Sequence, residues 1–502
     1  MTQNGAKKIG LFSALSICVG SIVGIGIFLK NQSVASNVQG NGTTWILTWA
    51  VAGLIALLVA IHFGKISKIE SEDHATGISF WSDQVTTSKT KWFHKIVAFN
   101  YGFFYLSVLT IALSFFTTEL LINFIKEINS NVQLEVWAHV LISLGFMAIF
   151  VVTNFLSHHF SGWISSATLV LKFIPLIAVV VIGIIFANTH NTGPENNPDT
   201  VNGFLRPING LDAMKGMMLS IPSVLFAFDA FIGVGALSKQ IKGGDKSVSK
   251  IIVFGMIFVT IIYLLISISS ALHYNPKGTT FISDVLKDAL PKEVGQAIST
   301  FVSFFLFVSA YGTSNAIVGV GVKEFENVCQ DQRLVFTKKL NQKFGAKKGG
   351  LILEVIVLSF WSLLIFIPSI ILKTDALIDG FSNLAVVYFF VIYTVLIFFF
   401  WKNKYLKESE FQANSNKVRY SILVWTTIVA VSFAVLLNFI FIISGPINDA
   451  FLDQDKIKPS SWGLFLSGKG FSNLNVVITY LVVSPIFFGL PFLNNWIKVK
   501  LN

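Results

Sequence analysis

Two ionisable side chains stand in stretches otherwise almost free of charge. Asp229 lies in S-I-P-S-V-L-F-A-F-D-A-F-I-G-V-G over 220–235, and Lys172 lies in L-V-L-K-F-I-P-L over 169–176. A charge set among apolar residues is costly, so its retention points to binding, relay or coupling. Asp229 has a second reading as a cap on the later part of an interrupted helix. Lys172 is too central in its segment to reach the surface by extension. It either gains and loses a proton as the coupling group or pairs permanently with a carboxylate such as Asp229.

A third stretch carries chemistry through its backbone. G-S-I-V-G-I-G-I-F over 20–28 places three glycines within seven residues, each weakening a helix by roughly 1 kcal/mol relative to alanine. Open backbone is tolerated in lipid only where it lines a cavity. A helix broken here frees the amides of Ile25, Gly26 and Ile27 to face a carboxylate, and carbonyls near Ile22 to face an ammonium. The competing reading is helix packing, because Gly20 and Gly24 form a G-x-x-x-G pair. The Asp229 segment is also irregular, with Pro222 before the carboxylate and Gly233 and Gly235 after it. Two interrupted segments at matching positions in two halves point to a binding site between them.

The elements that must hold these residues are membrane helices. The chain has 502 residues, 53% hydrophobic and only 13% charged, with a mean hydropathy of +0.70. Twelve apolar segments are expected at 9–28, 45–63, 96–118, 136–154, 160–187, 213–236, 251–272, 295–322, 351–372, 380–401, 420–444 and 474–493. Each is long enough to cross roughly 30 Å of hydrocarbon. The first is read as a retained helix rather than a cleaved leader. The connection 64–95 has room for a short amphipathic helix around 78–85.

Lysine and arginine are distributed unevenly. With the N-terminus inside, 25 fall in cytoplasmic segments and 10 outside, Lys30 counted among the latter. This predicts a multi-pass cell-membrane protein with both termini cytoplasmic. The net charge of +11 is thereby read as topology and contact with membrane lipid, not as a nucleic-acid surface. The abundance of Lys, Asn, Ile and Phe suits a low-GC bacterial genome. Cys18 and Cys329, the latter placed in a basic loop, suggest neither a disulfide framework nor a metal site. The scattered histidines, with His158 and His159 at a helix junction, form no catalytic set, so a membrane transferase is disfavoured and no cofactor is expected.

Segments one to five span about 9–187 and six to ten about 213–401. An odd number per half forces opposite orientations, the arithmetic of an inverted repeat. The expected fold is therefore all-α and integral to the membrane: a 5+5 inverted repeat with broken helices 1 and 6, plus two extra C-terminal helices. In domain terms this is a ten-helix core over 1–410, with 411–502 added.

In order and spacing these motifs resemble the amino acid–polyamine–organocation permease superfamily, over about 9–410. The first-helix pattern G-x-x-I-G-x-G-I-F matches Gly20 to Phe28 with Val23 at the isoleucine. The sixth-helix F-A-F-x-G-F/W pattern matches Phe226 to Phe231 with Ala230 at the glycine. K-x-x-P-L matches Lys172 to Leu176, and Asn315, Ala316 and Lys323 match an eighth-helix pattern. F-A-F-D-A-F is most similar to the neutral and cationic amino-acid exchanger branch. The chain departs from many relatives at Ile232, where they carry Glu, and lacks the Glu usual near Ser238 and Lys239.

The resemblance implies a secondary-active amino-acid transporter, by proton-coupled uptake or exchange; a transporter-like sensor that binds without turnover is the alternative. It implies a substrate carboxylate on Ile25, Gly26 and Ile27. The ammonium would sit on carbonyls of Ile22, Phe226 and Asp229. Gly24 and Ala227 lie in the same two breaks, and Phe231, Tyr101 and Tyr105 would wall the side-chain pocket. Lys172 would be the coupling group, with protons as the coupling ion.

Overall fold

The computed structural model describes residues 22–24, 26–69, 77–157, 171–186, 206–229, 244–273, 291–408, 416–451, 460–466 and 471–501, with isolated positions between them. Ile25, Ala230, Phe231, Ile232, Gly233, Gly235, Gly20, Cys18, His158 and His159 lie outside these, so the expectations resting on them do too.

The described residues are helical in fourteen segments. They are α1 (Gly26–Asn37), α2 (Gly42–Ile66), α3 (Ile78–Val85), α4 (Lys91–Asn100), α5 (Ser107–Ile128), α6 (Val136–Leu156), α7 (Phe173–Ile185) and α8 (Gly210–Phe228). After them come α9 (Gly244–Leu272), α10 (Lys292–Gln330), α11 (Thr337–Leu372), α12 (Ala376–Phe400), α13 (Lys417–Asp449) and α14 (Asn473–Leu501). A π-helical turn over Tyr101–Leu106 joins α4 to α5 in one continuous rod, and a second one over Trp401–Tyr405 follows α12. Ten of the helices are long and apolar enough to span a membrane, and α7 is a shorter apolar one. The amphipathic helix expected in the connection is α3.

The outward faces show what solvent these helices are built for. On α13, Ile422, Trp425, Val429, Phe433, Leu436 and Ile440 are all exposed, at the three- and four-residue spacing of one helical face. In water such a stripe would be an association hazard. Against hydrocarbon it costs nothing.

Two boundaries differ from expectation for a physical reason. The first helix does not end at 28 but continues to Asn37 through the polar run K-N-Q-S-V-A-S-N. Within that run Lys30, Asn31, Ser33, Val34 and Ala35 are buried while Gln32 and Ser36 stay exposed, and the buried side chains of Lys30 and Asn31 find polar partners inside. Asn31 Oδ1 accepts from the indole nitrogens of Trp45 (2.7 Å) and Trp49 (3.1 Å), and its amide nitrogen donates to Ser270 Oγ (2.6 Å). Lys30, counted as an outer-loop charge, is fully buried. Cys329 likewise lies in no loop: it is buried in α10.

The elements that frame the interior are α1 packed on α8, α2 on α9, and α5 on α10, with α12 threaded between α5 and α8. α12 is buried along almost its whole length.

Candidate functional site

The described residues that flank the two predicted interruptions come to one place. Before α1, Val23 and Gly24 are bends rather than helix. α8 stops at Phe228, with Asp229 as its C-terminal cap residue. Between them lies a cavity of about 50 Å³ lined by Ile22, Gly24, Gly26, Phe226, Ala227 and Asp229. Its remaining walls are Tyr105, Leu109 and Leu113 of the third predicted helix, and Thr313 and Ile317 of α10.

The backbone of the two breaks is close-packed. A Cβ added to Gly26 would fall 2.7 Å from the Cα of Ala227, and one on Gly24 would fall 3.0 Å from Thr313 Cγ2. Gly26 therefore lets α1 and α8 touch main chain to main chain, while Gly24 lets the cavity exist beside α10. Packing and opening, posed as rivals in the sequence, are met by different glycines.

The carbonyls exposed at the breaks already have a donor. The hydroxyl of Tyr263, on α9, lies 3.2 Å from both Ile22 O and Ala227 O. It has one proton to share between them, so it donates to only one carbonyl at a time. Tyr263 is fully buried against Trp49 and Phe228. No local pattern marked it; a tyrosine in an apolar helix signals only that its hydroxyl must find a partner.

Asp229 is buried and is held by two further tyrosines. Tyr105 donates to Oδ2 in a short bond, and Tyr393 of α12 donates to Oδ1 at 3.1 Å. No ion pair joins Asp229 to Lys172 among the described residues. The carboxylate is thus presented by neutral hydroxyls rather than neutralised by a lysine. Tyr101 does not line the cavity: it stacks on Tyr105 with ring centroids 5.7 Å apart, one turn along the π-helical segment. Ile27 is buried and also absent from the lining. Lys172 sits at the turn immediately before α7, buried and away from the cavity walls.

A second polar cluster was not anticipated. The Lys30 ammonium donates to Asp379 in a short contact, to Ser382 Oγ at 2.8 Å and to Asn383 Oδ1 at 2.9 Å. It also lies 4.6 Å from the ring centroid of Phe226, a cavity residue, within cation–π range. Asp379 Oδ2 accepts from the amide of Gly463, and Asp375 accepts from the amides of Leu464, Phe465 and Leu466 at 2.9–3.2 Å. Gly463 has φ +106°, a conformation that turns successive amides toward the two carboxylates.

Fold and interior polar sites together define a polytopic helical membrane protein. Residues 9–458 match the amino acid permease family, and the chain belongs to that family. Similar proteins include an uncharacterized protein of Mycoplasma pneumoniae, 23% identical over 68% of this chain and 64% of its own length. The b(0,+)-type amino acid transporter 1 of Oryctolagus cuniculus is 23% identical over 62% of this chain and 61% of its own. The serine/threonine exchanger SteT of Bacillus subtilis is 22% identical over 79% and 83% respectively. The match thus spans less than two thirds of the first two relatives.

The environment of Asp229 yields a charge-selection prediction. Asp229→Asn keeps the shape and removes the charge. Uptake of a cationic amino acid should fall at least tenfold more than uptake of a neutral one, because only the cation loses an opposite charge. Equal losses for lysine and leucine would assign the carboxylate to helix capping instead.

Proposed function

We propose that this protein is a secondary transporter that moves amino acids across the cell membrane by alternating access, with both termini cytoplasmic. The observation that carries the reading is the meeting of the two interrupted segments at one cavity with an aspartate in its wall, in a chain of this family. The cavity is the amino-acid site. The amide of Gly26 and its neighbours receive the carboxylate, and whichever of the Ile22 and Ala227 carbonyls Tyr263 leaves free receives the ammonium.

At about 50 Å³ the cavity is far below the roughly 300–1,000 Å³ of ordinary ligand pockets. The described conformation is therefore the contracted one, and entry of a substrate requires its walls to part. The test is uptake of each of the twenty amino acids into proteoliposomes, wild type beside Thr313→Phe, which fills the cavity from α10. At least one amino acid should accumulate in the wild type and lose 100-fold or more in the variant. Equal uptake by the two proteins would remove the cavity from the transport path.

Lys172 is the coupling group in this reading. It stands at the turn before α7, and α7 packs on α9 and α10, so a change in its protonation alters how α7 seats on them. Lys172→Ala should lose accumulation driven by a pH gradient while substrate binding persists. Full pH-driven accumulation by the variant would show that another group carries the proton.

A further inference from the structure

A larger and separate pocket lies at the end of the bundle where α1 ends and α8 and α14 begin. Its volume is about 500 Å³, and the last two helices form one of its sides. Asp212 and Lys215 of α8 both face it, three residues apart and so neighbours on one helical face. No ion pair joins them among the described residues, and Lys215 has no carboxylate partner there. Opposite, Asn438 of α13 is 2% exposed. Its amide nitrogen donates to Met218 O at 2.9 Å, but its Oδ1 has no hydrogen-bond partner among the described residues. A buried acceptor left unpaired costs about 1–3 kcal/mol, so it marks a place where a donor is expected from elsewhere. Ser460 Oγ, on the same pocket, is also buried and unpaired.

Asp212 Oδ2 accepts from the side-chain amide of Asn209, which leaves its other oxygen for a ligand. One charge of each sign, neither ion-paired among the described residues, an orphaned amide acceptor and room for a small solute define a zwitterion site. We propose that this pocket binds a free α-amino acid, with its ammonium at Asp212, its carboxylate at Lys215 and a donor of the ligand on Asn438 Oδ1. The site is distinct from the central cavity, with which it shares no lining residue. It is nonetheless connected to it. Asn383 lines the pocket and accepts from Lys30, whose ammonium lies over the Phe226 ring of the cavity. A ligand held here presses on the wall that separates the two. The last two helices, outside the repeated core, acquire a role in forming a ligand site of their own.

The test uses the full chain, purified in detergent, with the photoreactive amino acid photo-leucine as probe and peptide mapping after irradiation. Crosslinks are expected on 434–445 or 209–223 in the wild type, suppressed by excess leucine. They should persist in Thr313→Phe, whose central cavity is filled. They should fall at least tenfold in Lys215→Met and in Asn438→Leu, both monodisperse by size exclusion. Lys215 is partly exposed, so its replacement leaves folding intact even where Asn438→Leu does not. Crosslinks confined to the central cavity would overturn the peripheral site and leave the central one standing. Peripheral labelling unchanged in Lys215→Met, lost in Thr313→Phe, or absent altogether would overturn it as well.

Discussion

Lys30→Met should lower the melting temperature of the purified protein steeply and abolish uptake. Adding Asp379→Asn should return most of the lost stability. Both members of the pair are fully buried, and removing one partner of a buried ion pair costs about 3–5 kcal/mol because the other is left charged and alone. Methionine keeps the length of the lysine stem and fills its channel. Asparagine removes the stranded charge yet keeps an acceptor for the Gly463 amide. Uptake should stay impaired in the double variant, because the Lys30 contacts to Ser382, Asn383 and the Phe226 ring are still missing. Melting followed by fluorescence size exclusion, with uptake measured in parallel, checks both halves. A single variant that melts within a degree or two of wild type would show that the pair carries no stability.

Gly26→Ala should cost roughly 1–3 kcal/mol, the usual penalty for a methyl forced into a filled space, and reduce uptake at least tenfold. The atom it meets first is the Cα of Ala227, at 2.7 Å. Backbone cannot rotate away as a side chain can. For that reason Ala227→Gly should rescue little, although it removes the second contact, a Cβ at 2.9 Å. Gly24→Ala meets only a threonine side chain, the methyl of Thr313 at 3.0 Å and its hydroxyl at 3.3 Å, and should be milder. If Gly26→Ala transports normally, or if Ala227→Gly restores it fully, the two helices do not meet main chain to main chain.

The sequence carried the scaffold because apolar runs and their spacing are local signals. The spans, the helix at Ile78–Val85 and the interruptions near Gly24 and Asp229 all announce themselves within a dozen residues. What it did not carry are partnerships made at a distance. Lys30 and Asp379 are 349 positions apart, and the polar run after Lys30 reads locally as a loop. Packing on α8, with the tryptophans of α2, a serine of α9 and Ser220 of α8 as polar partners, makes it a largely buried helix. The tyrosines at the site divide in the same way. Tyr105 is reached through the family resemblance, as an aromatic of the third helix. Tyr263 and Tyr393 sit in ordinary apolar stretches and acquire meaning only through Ile22, Ala227 and Asp229. The same resemblance points to Tyr101, but the π-helical turn carries it off the cavity.

The four amides of Gly463 to Leu466 have a consequence for modularity. They reach the carboxylates of Asp375 and Asp379 from the connection between α13 and α14, on the far side of any cut that would free a ten-helix core. A chain ended after α12 would leave two aspartates in the interior with those donors gone and, for one of them, only a lysine to answer it. The final pair of helices is thus not an appendage that can be shed or exchanged between relatives as a unit. Any graft or truncation must carry residues 463–466, or change both aspartates and Lys30 in the same step.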